Sequence, residues 1–228
     1  MQVQYAASLM CMDLTNVRQD TEILNRHCHM LHADIMDGHF SPSFALTPLF
    51  VEAIRPLTRL PIDAHIMCER PGELIGPLAK AGADILSLHV ETINVNAFRL
   101  MGQVRDAGCK VGLVLNPATS IEALALLLPL ADIVTLMTVD IGYAGQRFIP
   151  QMLPKIRQAA DLILEGGYDC LLQMDGACNR NTYKATYEAG IRAYVMGSSG
   201  LFGLSDNLED ACLGMKREFT NAVNGEQP

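Results

Sequence analysis

The stretch Ala81-Gly82-Ala83-Asp84-Ile85-Leu86-Ser87-Leu88 joins the predicted end of a helix to a short apolar strand. Glycine just after a helix adopts the left-handed conformation that ends it at little steric cost. The same Ala-Gly junction precedes an apolar run at Ala107-Gly108 and at Ala189-Gly190. The repeated junction predicts a chain in which helices lead directly into strands.

Eight short apolar runs predict strands along the chain, at 3–9, 29–35, 61–67, 84–88, 110–115, 132–137, 170–174 and 193–196. Between them lie helical patterns, such as 94–107, with Phe98, Met101 and Val104 on one face, and 121–130. Eight βα units in 228 residues predict an α/β fold, a (β/α)8 TIM barrel formed as a single domain by residues 1–228. A doubly wound open sheet is the competing architecture, but its glycine-rich first turn is missing from Ser8-Leu9-Met10-Cys11-Met12.

Composition narrows the function classes. The chain is 50% hydrophobic and 18% charged, and its 17 Lys and Arg against 25 Asp and Glu give a net charge of −8, which argues against a nucleic-acid partner. The amino terminus lacks the layout of a secretory signal, and the apolar run 123–131 is broken by Pro129 and too short to cross a bilayer. The seven cysteines form no C-x-x-C pair. We therefore expect a cytoplasmic protein with reduced thiols and no membrane partner.

Polar residues cluster where the predicted strands end, which is where barrel enzymes build their sites. His32 and Asp34 are two residues apart on one strand, so both side chains point to the same side of the sheet, the interior of a barrel. Buried charges need partners or a metal, and His65 and Asp175, at the ends of two other strands, could complete a set of ligands. Two His and two Asp suit a divalent cation of the zinc, iron, cobalt or manganese kind. The alternatives are histidines hydrogen-bonded in the core, or Asp63 facing inward in place of His65.

Glycine-rich segments follow the last three predicted strands, at 140–146, 175–177 and 197–200. Backbone amides in such loops bind phosphate, although glycine in a loop more often serves a turn. Two features remain open: His89-Val90-Glu91 is equally compatible with a solvated turn, and Met36, Met67 and Met137 either fill the core or line a pocket. The chain carries no G-x-S-x-G, H-E-x-x-H or Walker A motif.

The strings His32-Ala33-Asp34-Ile35-Met36-Asp37-Gly38 and Asp63-Ala64-His65-Ile66-Met67 resemble the ribulose-phosphate 3-epimerase family, and the resemblance spans nearly the whole chain. It implies a barrel of the ribulose-phosphate-binding type that inverts carbon 3 of a phosphorylated ketose through an enediolate. It also implies one divalent metal per subunit, with zinc, iron, cobalt, manganese and magnesium all left open. Carried over by residue, the metal ligands are His32, Asp34, His65 and Asp175, with Asp34 as base and Asp175 as acid.

The same resemblance implies the residues that hold the substrate. The sugar would contact Ser8, His65, Met36, Met67 and Met137. The phosphate would be held by backbone amides and a hydroxyl of Gly142, Tyr143, Ala144, Gly145, Gly176, Ala177, Gly197, Ser198 and Ser199. The chain departs from the pattern of many family members at Ala7, Ile141 and Val90, where proline is common, and at Ala177, where glycine is common. We expect these departures to affect the phosphate loops rather than the class of reaction.

Four short segments are most similar to the family members that act on D-allulose 6-phosphate: 8–13, 91–94, 96–100 and 175–179. They favour D-allulose 6-phosphate, converted to D-fructose 6-phosphate, as substrate. The alternative is D-ribulose 5-phosphate, converted to D-xylulose 5-phosphate. An alternative of another class is a barrel that binds a sugar phosphate without catalysis. The family further suggests a homo-oligomer, a dimer or a hexamer.

Overall fold

A closed barrel of eight parallel strands, each hydrogen-bonded to its neighbours in chain order, forms the centre of the molecule in a computed structural model that describes residues 3–225. The strands are β1 (Gln4–Ser8), β2 (Met30–Met36), β3 (Ile62–Met67), β4 (Ile85–His89), β5 (Lys110–Leu115), β6 (Ile133–Met137), β7 (Leu171–Asp175) and β8 (Ala193–Met196). The helices are α1 (Val17–His27), α2 (Pro48–Ile54), α3 (Gly72–Ala81), α4 (Val90–Ile93), α5 (Ala97–Asp106), α6 (Met152–Glu165), α7 (Tyr183–Glu188) and α8 (Leu208–Asn224). The (β/α)8 barrel predicted from the alternating pattern is confirmed.

The Ala-Gly junctions end their helices as predicted. Gly82, Gly108 and Gly190 have φ angles of +98°, +81° and +119°, the left-handed region that glycine enters without strain. At Gly190 space is also limiting, because a Cβ there would lie 2.5 Å from the Cβ of Ala160 on α6. These glycines therefore let the chain turn from helix to strand at close packing distance.

Two expectations about helices are wrong. Residues 121–130 form two short 3-10 turns, Ile121–Leu124 and Leu128–Leu130, instead of one helix. Pro129 has no amide hydrogen to continue an α-helix, which explains the break. In α5 the side chain of Phe98 is 58% exposed, whereas Met101 and Val104 are buried as expected.

The core has two parts. Most buried side chains lie between the outer faces of the strands and the helices. A smaller cluster inside the barrel consists of Ala6, Met30, Ile85, Ile133 and Val195. Met30, Ile85 and Ile133 are the first residues of their strands, so they fill the amino-terminal end of the interior. Apolar packing at that end leaves the polar side chains of the interior nearer the carboxyl ends of the strands. No helix within residues 3–225 has the length and apolar character that crossing a membrane requires.

Candidate metal centre and active site

Strands β2 and β3 bring two pairs of polar side chains into the barrel interior. Their register places His32 beside Asp63 and Asp34 beside His65. Residues two apart on a strand point the same way, so all four side chains face inward, and none is more than 4% exposed. Asp63 and His65 therefore share the interior, and the choice between them that the sequence left open does not arise.

Four side chains converge on one point of the interior, and they are the four predicted metal ligands, His32, Asp34, His65 and Asp175. His32 Nε2 and His65 Nδ1 are 3.2 Å apart. His65 Nδ1 lies 3.4 Å from Asp34 Oδ1 and 3.6 Å from Asp175 Oδ2. His32 Nε2 lies 3.5 Å and 3.7 Å from the same two oxygens. All four ligand atoms lie within 4.8 Å of one another.

This arrangement fits a divalent cation. Ligand atoms about 2.0–2.2 Å from a four-coordinate ion stand roughly 3.4 Å from one another, and the five separations given above range from 3.2 to 3.7 Å. Two imidazole nitrogens and two carboxylate oxygens suit zinc, iron, cobalt and manganese. The donor set does not select among them.

The buried charges in this cluster compensate one another. Burial alone would raise the pKa of Asp34, but His32 and His65 beside it hold that pKa well below its usual value. Burial alone would lower the pKa of His32, but Asp34 and Asp63 hold it well above the ordinary imidazole value. The pKa of His65 is raised in the same way, against the effect of burial, by Asp175 and Asp34. An ion entering the cluster would therefore displace protons from the two imidazoles.

Asp63 orients the ring of His32. Its Oδ2 lies 2.9 Å from His32 Nδ1, and Ser87 Oγ donates to its Oδ1 at 2.5 Å. Ser87 has room to do so because Gly112, beside it on β5, lacks a side chain: a Cβ there would lie 2.0 Å from Ser87 Oγ. A carboxylate on the far nitrogen of a metal-binding histidine directs its other nitrogen at the ion. Sequence reasoning did not find this role, although the two-residue spacing of Asp63 and His65 contained the signal.

A cavity opens above the cluster at the carboxyl ends of the strands. Asp34 and Asp175 line it, whereas His32 and His65 are fully buried and do not. Ser8 lines it as well, and its Oγ donates to Asp34 Oδ2 at 3.1 Å. The three methionines expected near the substrate also line the cavity: Met36, Met67 and Met137. Of the predicted sugar-contacting residues, only His65 is separated from the open space.

The predicted phosphate-binding residues line this same cavity from three loops: Gly142, Tyr143, Ala144, Gly145, Gly176, Ala177, Gly197, Ser198 and Ser199. Side chains hold the first loop in place, because Tyr143 Oη donates to Pro42 O at 2.9 Å and Gln146 Nε2 donates to Asp140 O at 2.6 Å. Gly176 has φ +105°, and a Cβ there would lie 2.5 Å from Val139 Cγ2. The loops after β6, β7 and β8 therefore form one wall of the cavity.

Of the segment that the sequence left as a possible solvated turn, His89 belongs to the interior and Glu91 is partly buried beside it. The ring of His89 is fully buried, and its Nε2 lies 2.8 Å from His65 Nε2. Its Nδ1 lies 3.1 Å from Glu91 Oε2. The two-residue spacing that places His32 with Asp34 also places Ser87 with His89, and this spacing was the available signal.

Comparison with known proteins gives a consistent result. A family model described as "Ribulose-phosphate 3 epimerase family" matches residues 4–202. The chain is 40% identical over 208 residues to the ribulose-phosphate 3-epimerase of Bacillus subtilis, covering 90% of this chain and 94% of that protein. It is 38% identical over 196 residues to the protein of the same name from Synechocystis, covering 85% of each.

Solved structures match the fold at low sequence identity. The crystal structure of KGPDC from Streptococcus mutans superposes with a TM-score of 0.72 at 13% identity, covering 97% of this chain and 99% of that one. The 3-hexulose-6-phosphate synthase of Salmonella typhimurium superposes with a TM-score of 0.65 at 14% identity, covering 98% and 100%. At this identity the likeness supports the barrel architecture alone.

Proposed function

The chain belongs to the ribulose-phosphate 3-epimerase family and is an isomerase of the carbohydrate-epimerase class, and from this premise we propose that it interconverts D-ribulose 5-phosphate and D-xylulose 5-phosphate. The observation that carries the proposal is the pair Asp34 and Asp175, which lie beside two histidines at the floor of a cavity lined by three glycine-containing loops. Inversion of a carbon centre needs one group to remove a proton and another to return one. A barrel that only binds a sugar phosphate needs no such pair.

The comparisons favour the five-carbon substrate over D-allulose 6-phosphate. Three relatives that each align over at least 78% of this chain carry the name ribulose-phosphate 3-epimerase. The preference for the six-carbon sugar came from four short segments and finds no support among them. We keep D-allulose 6-phosphate as the competing substrate in the assay below.

In the proposed reaction Asp34 removes the proton from carbon 3 and Asp175 returns a proton to the opposite face. Around the barrel, β2 and β7 are separated by β1 and β8, so the two carboxylates approach the substrate from different sides. The lowered pKa of Asp34 keeps this group ionised at neutral pH, as a base must be. The Ser8 hydroxyl holds its Oδ2 in position. In the reverse direction the roles exchange.

The other residues bind and shield the substrate. A divalent cation held by His32, Asp34, His65 and Asp175 would stabilise the negative charge that develops when the proton leaves carbon 3. The thioethers of Met36, Met67 and Met137 exclude water from the planar intermediate. The three loops anchor the phosphate, which fixes carbon 3 between the carboxylates. One ion per subunit, a homo-oligomeric assembly and a cytoplasmic location stay predictions.

The decisive experiment measures kcat/KM of the metal-replete protein for D-ribulose 5-phosphate and D-allulose 6-phosphate side by side. We expect the five-carbon substrate to be preferred, and deuterium from solvent to enter carbon 3 during turnover. Asp34→Asn and Asp175→Asn should each abolish both exchange and turnover, whereas Asp106→Asn, at the exposed end of α5, should retain them. Substantial epimerisation by either active-site variant would remove the assigned roles. A preference for D-allulose 6-phosphate would restore the six-carbon assignment.

A further inference from the structure

We propose that Glu91, acting through His89, fixes the ring tautomer of His65, so that His65 presents the lone pair of Nδ1 to the metal cluster. Glu91 is thereby a positioning residue two hydrogen bonds away from a metal ligand. The inference rests on the metal site of the proposed function, but not on the identity of the substrate.

The three side chains form an unbroken hydrogen-bonded chain, in which both histidines are fully buried and Glu91 is partly buried. His65 Nδ1 faces the cluster, and its other nitrogen, Nε2, lies 2.8 Å from His89 Nε2. The two rings are nearly parallel, with an interplanar angle of 23° and centroids 5.0 Å apart. His89 Nδ1 then lies 3.1 Å from Glu91 Oε2. The ring of Phe40 packs edge-on against His89, with centroids 4.8 Å apart, and limits its rotation.

Counting protons along this chain gives one arrangement. An ionised Glu91 can only accept, so the hydrogen of a neutral His89 must be on Nδ1. His89 Nε2 then carries a lone pair and must accept from His65 Nε2. A neutral His65 with its hydrogen on Nε2 has a free lone pair on Nδ1, the atom that faces Asp34 and Asp175. Each step follows from the one before it, beginning at Glu91.

Glu91 is itself held in this orientation. Its Oε1 accepts from the backbone amide of Asn116 at 2.8 Å and from the hydroxyl of Thr119. Lys155 on α6 secures the same loop by donating to Asn116 O at 2.7 Å and to Pro117 O at 3.1 Å. With Oε1 occupied by two donors, Oε2 is the oxygen left for His89.

His32 provides an internal comparison. Asp63 contacts its Nδ1 directly, which places the lone pair of His32 Nε2 toward the cluster by the same rule. Both ligand rings therefore end on a carboxylate, one directly and one through a second histidine. Through His89 and Glu91, the tautomer of His65 thus depends on the loop after β5 and on α6.

Substitution of Glu91 by Gln tests the inference because the two side chains have the same shape. The amide oxygen should stay with the donors Asn116 and Thr119, which turns the amide NH2 toward His89. His89 would then carry its hydrogen on Nε2, and His65 would carry its own on Nδ1, where it blocks the cluster. We expect E91Q to bind Zn²⁺ 10- to 100-fold more weakly than wild type in chelator competition. E91D, which keeps the carboxylate, should recover part of the loss, and the exposed-site control E69Q should bind as wild type does.

The tautomer itself is read from long-range ¹H–¹⁵N correlations of histidine rings in the zinc-loaded protein. In wild type we expect His89 to be neutral, with its hydrogen on Nδ1, and in E91Q we expect it on Nε2. A His89 that carries its hydrogen on Nε2 or on both nitrogens in wild type would overturn the inference, even if E91Q does not fold. Unchanged zinc affinity in a folded E91Q would do the same. Because neither measurement uses a sugar phosphate, failure of the substrate assignment would be seen separately.

Discussion

Ala177 has a φ of +48°, and among residues 3–225 it is the one non-glycine residue with positive φ. This conformation destabilises the folded protein by about 1–2 kcal/mol when the residue has a Cβ. Glycine avoids that strain, but its greater freedom in the unfolded chain offsets roughly 0.5–1 kcal/mol of the gain. We therefore predict that Ala177→Gly raises the free energy of unfolding by about 0.5–1 kcal/mol. The measurement is the urea midpoint at constant m-value.

Ala125→Gly is the matched control for this prediction. Ala125 is exposed and has an ordinary right-handed conformation, with φ −51° and ψ −40°. The same substitution there should lower stability, because glycine gains freedom in the unfolded chain and relieves no strain. Equal effects of the two variants would show that the conformation of Ala177 is not strained. The departure from glycine at this position thus costs stability in a loop that we assign to the phosphate.

Strands β4 and β5 approach closely at Gly112, and this packing supports the orientation of His32. A Cβ at Gly112 would lie 2.0 Å from Ser87 Oγ and 2.9 Å from Ser87 Cα, a backbone atom that cannot move aside cheaply. We predict that Gly112→Ala destabilises the protein by about 2–4 kcal/mol, from overpacking and from the disturbed hydrogen bond to Asp63. The effect is measured by urea denaturation.

Gly102 on α5 is the control for that prediction, since no atom within 4 Å would meet a Cβ there. Gly102→Ala should stabilise the protein by about 0.5–1 kcal/mol, the helix preference of alanine over glycine. A loss of stability at Gly102 as large as at Gly112 would mean that crowding at Ser87 is not the cause.

At the scale of elements, the strands and the helix ends were predictable because each depends on local pattern. The alternation of helix and strand, together with the Ala-Gly junctions, predicted the barrel. The two-residue period of a strand predicted that the side chains of His32 and Asp34 face its interior. The same period indicates that Asp63 and Ser87 face the interior, but the hydrogen-bond partners of Asp63, Ser87 and Glu91 were not predictable in this way. They depend on the register between strands and on a loop 25 residues away from Glu91, and no pattern along the chain records either.

At the scale of the whole molecule, the buried histidine of β4 makes stability depend on pH. Burial lowers the pKa of His89 to about 4, although the hydrogen bond to Glu91 opposes the shift. Between pH 6.5 and 4 the unfolded chain therefore binds more protons at this site than the folded protein, so stability falls as the pH falls. In chelator-treated protein we predict a loss of about 2–3 kcal/mol from this group between pH 6.5 and 4.5.

His89→Gln should flatten this part of the urea-stability profile, because the ring that titrates is gone. His39→Gln removes an exposed histidine and should leave the slope as it is in wild type. The quantity to compare is the slope of each variant, since other groups add the same background to all three proteins. An unchanged slope in the His89 variant would contradict the assignment of this loss of stability at acid pH to His89.

The two histidines of the metal cluster make the stability gained from Zn²⁺ depend on pH above 6. Asp34 and Asp63 raise the pKa of His32, and Asp175 and Asp34 raise that of His65, so the metal-free protein retains protons that an ion must displace. We predict that Zn²⁺ at about 100 times its Kd raises the free energy of unfolding by about 2.7 kcal/mol. At a fixed Zn²⁺ concentration the gain should increase from pH 6 to pH 7.5. Asp34→Asn should lose most of the gain and His39→Gln should keep it. A gain of the same size at both pH values would show that Zn²⁺ binds without displacing these protons, and hence away from the two histidines.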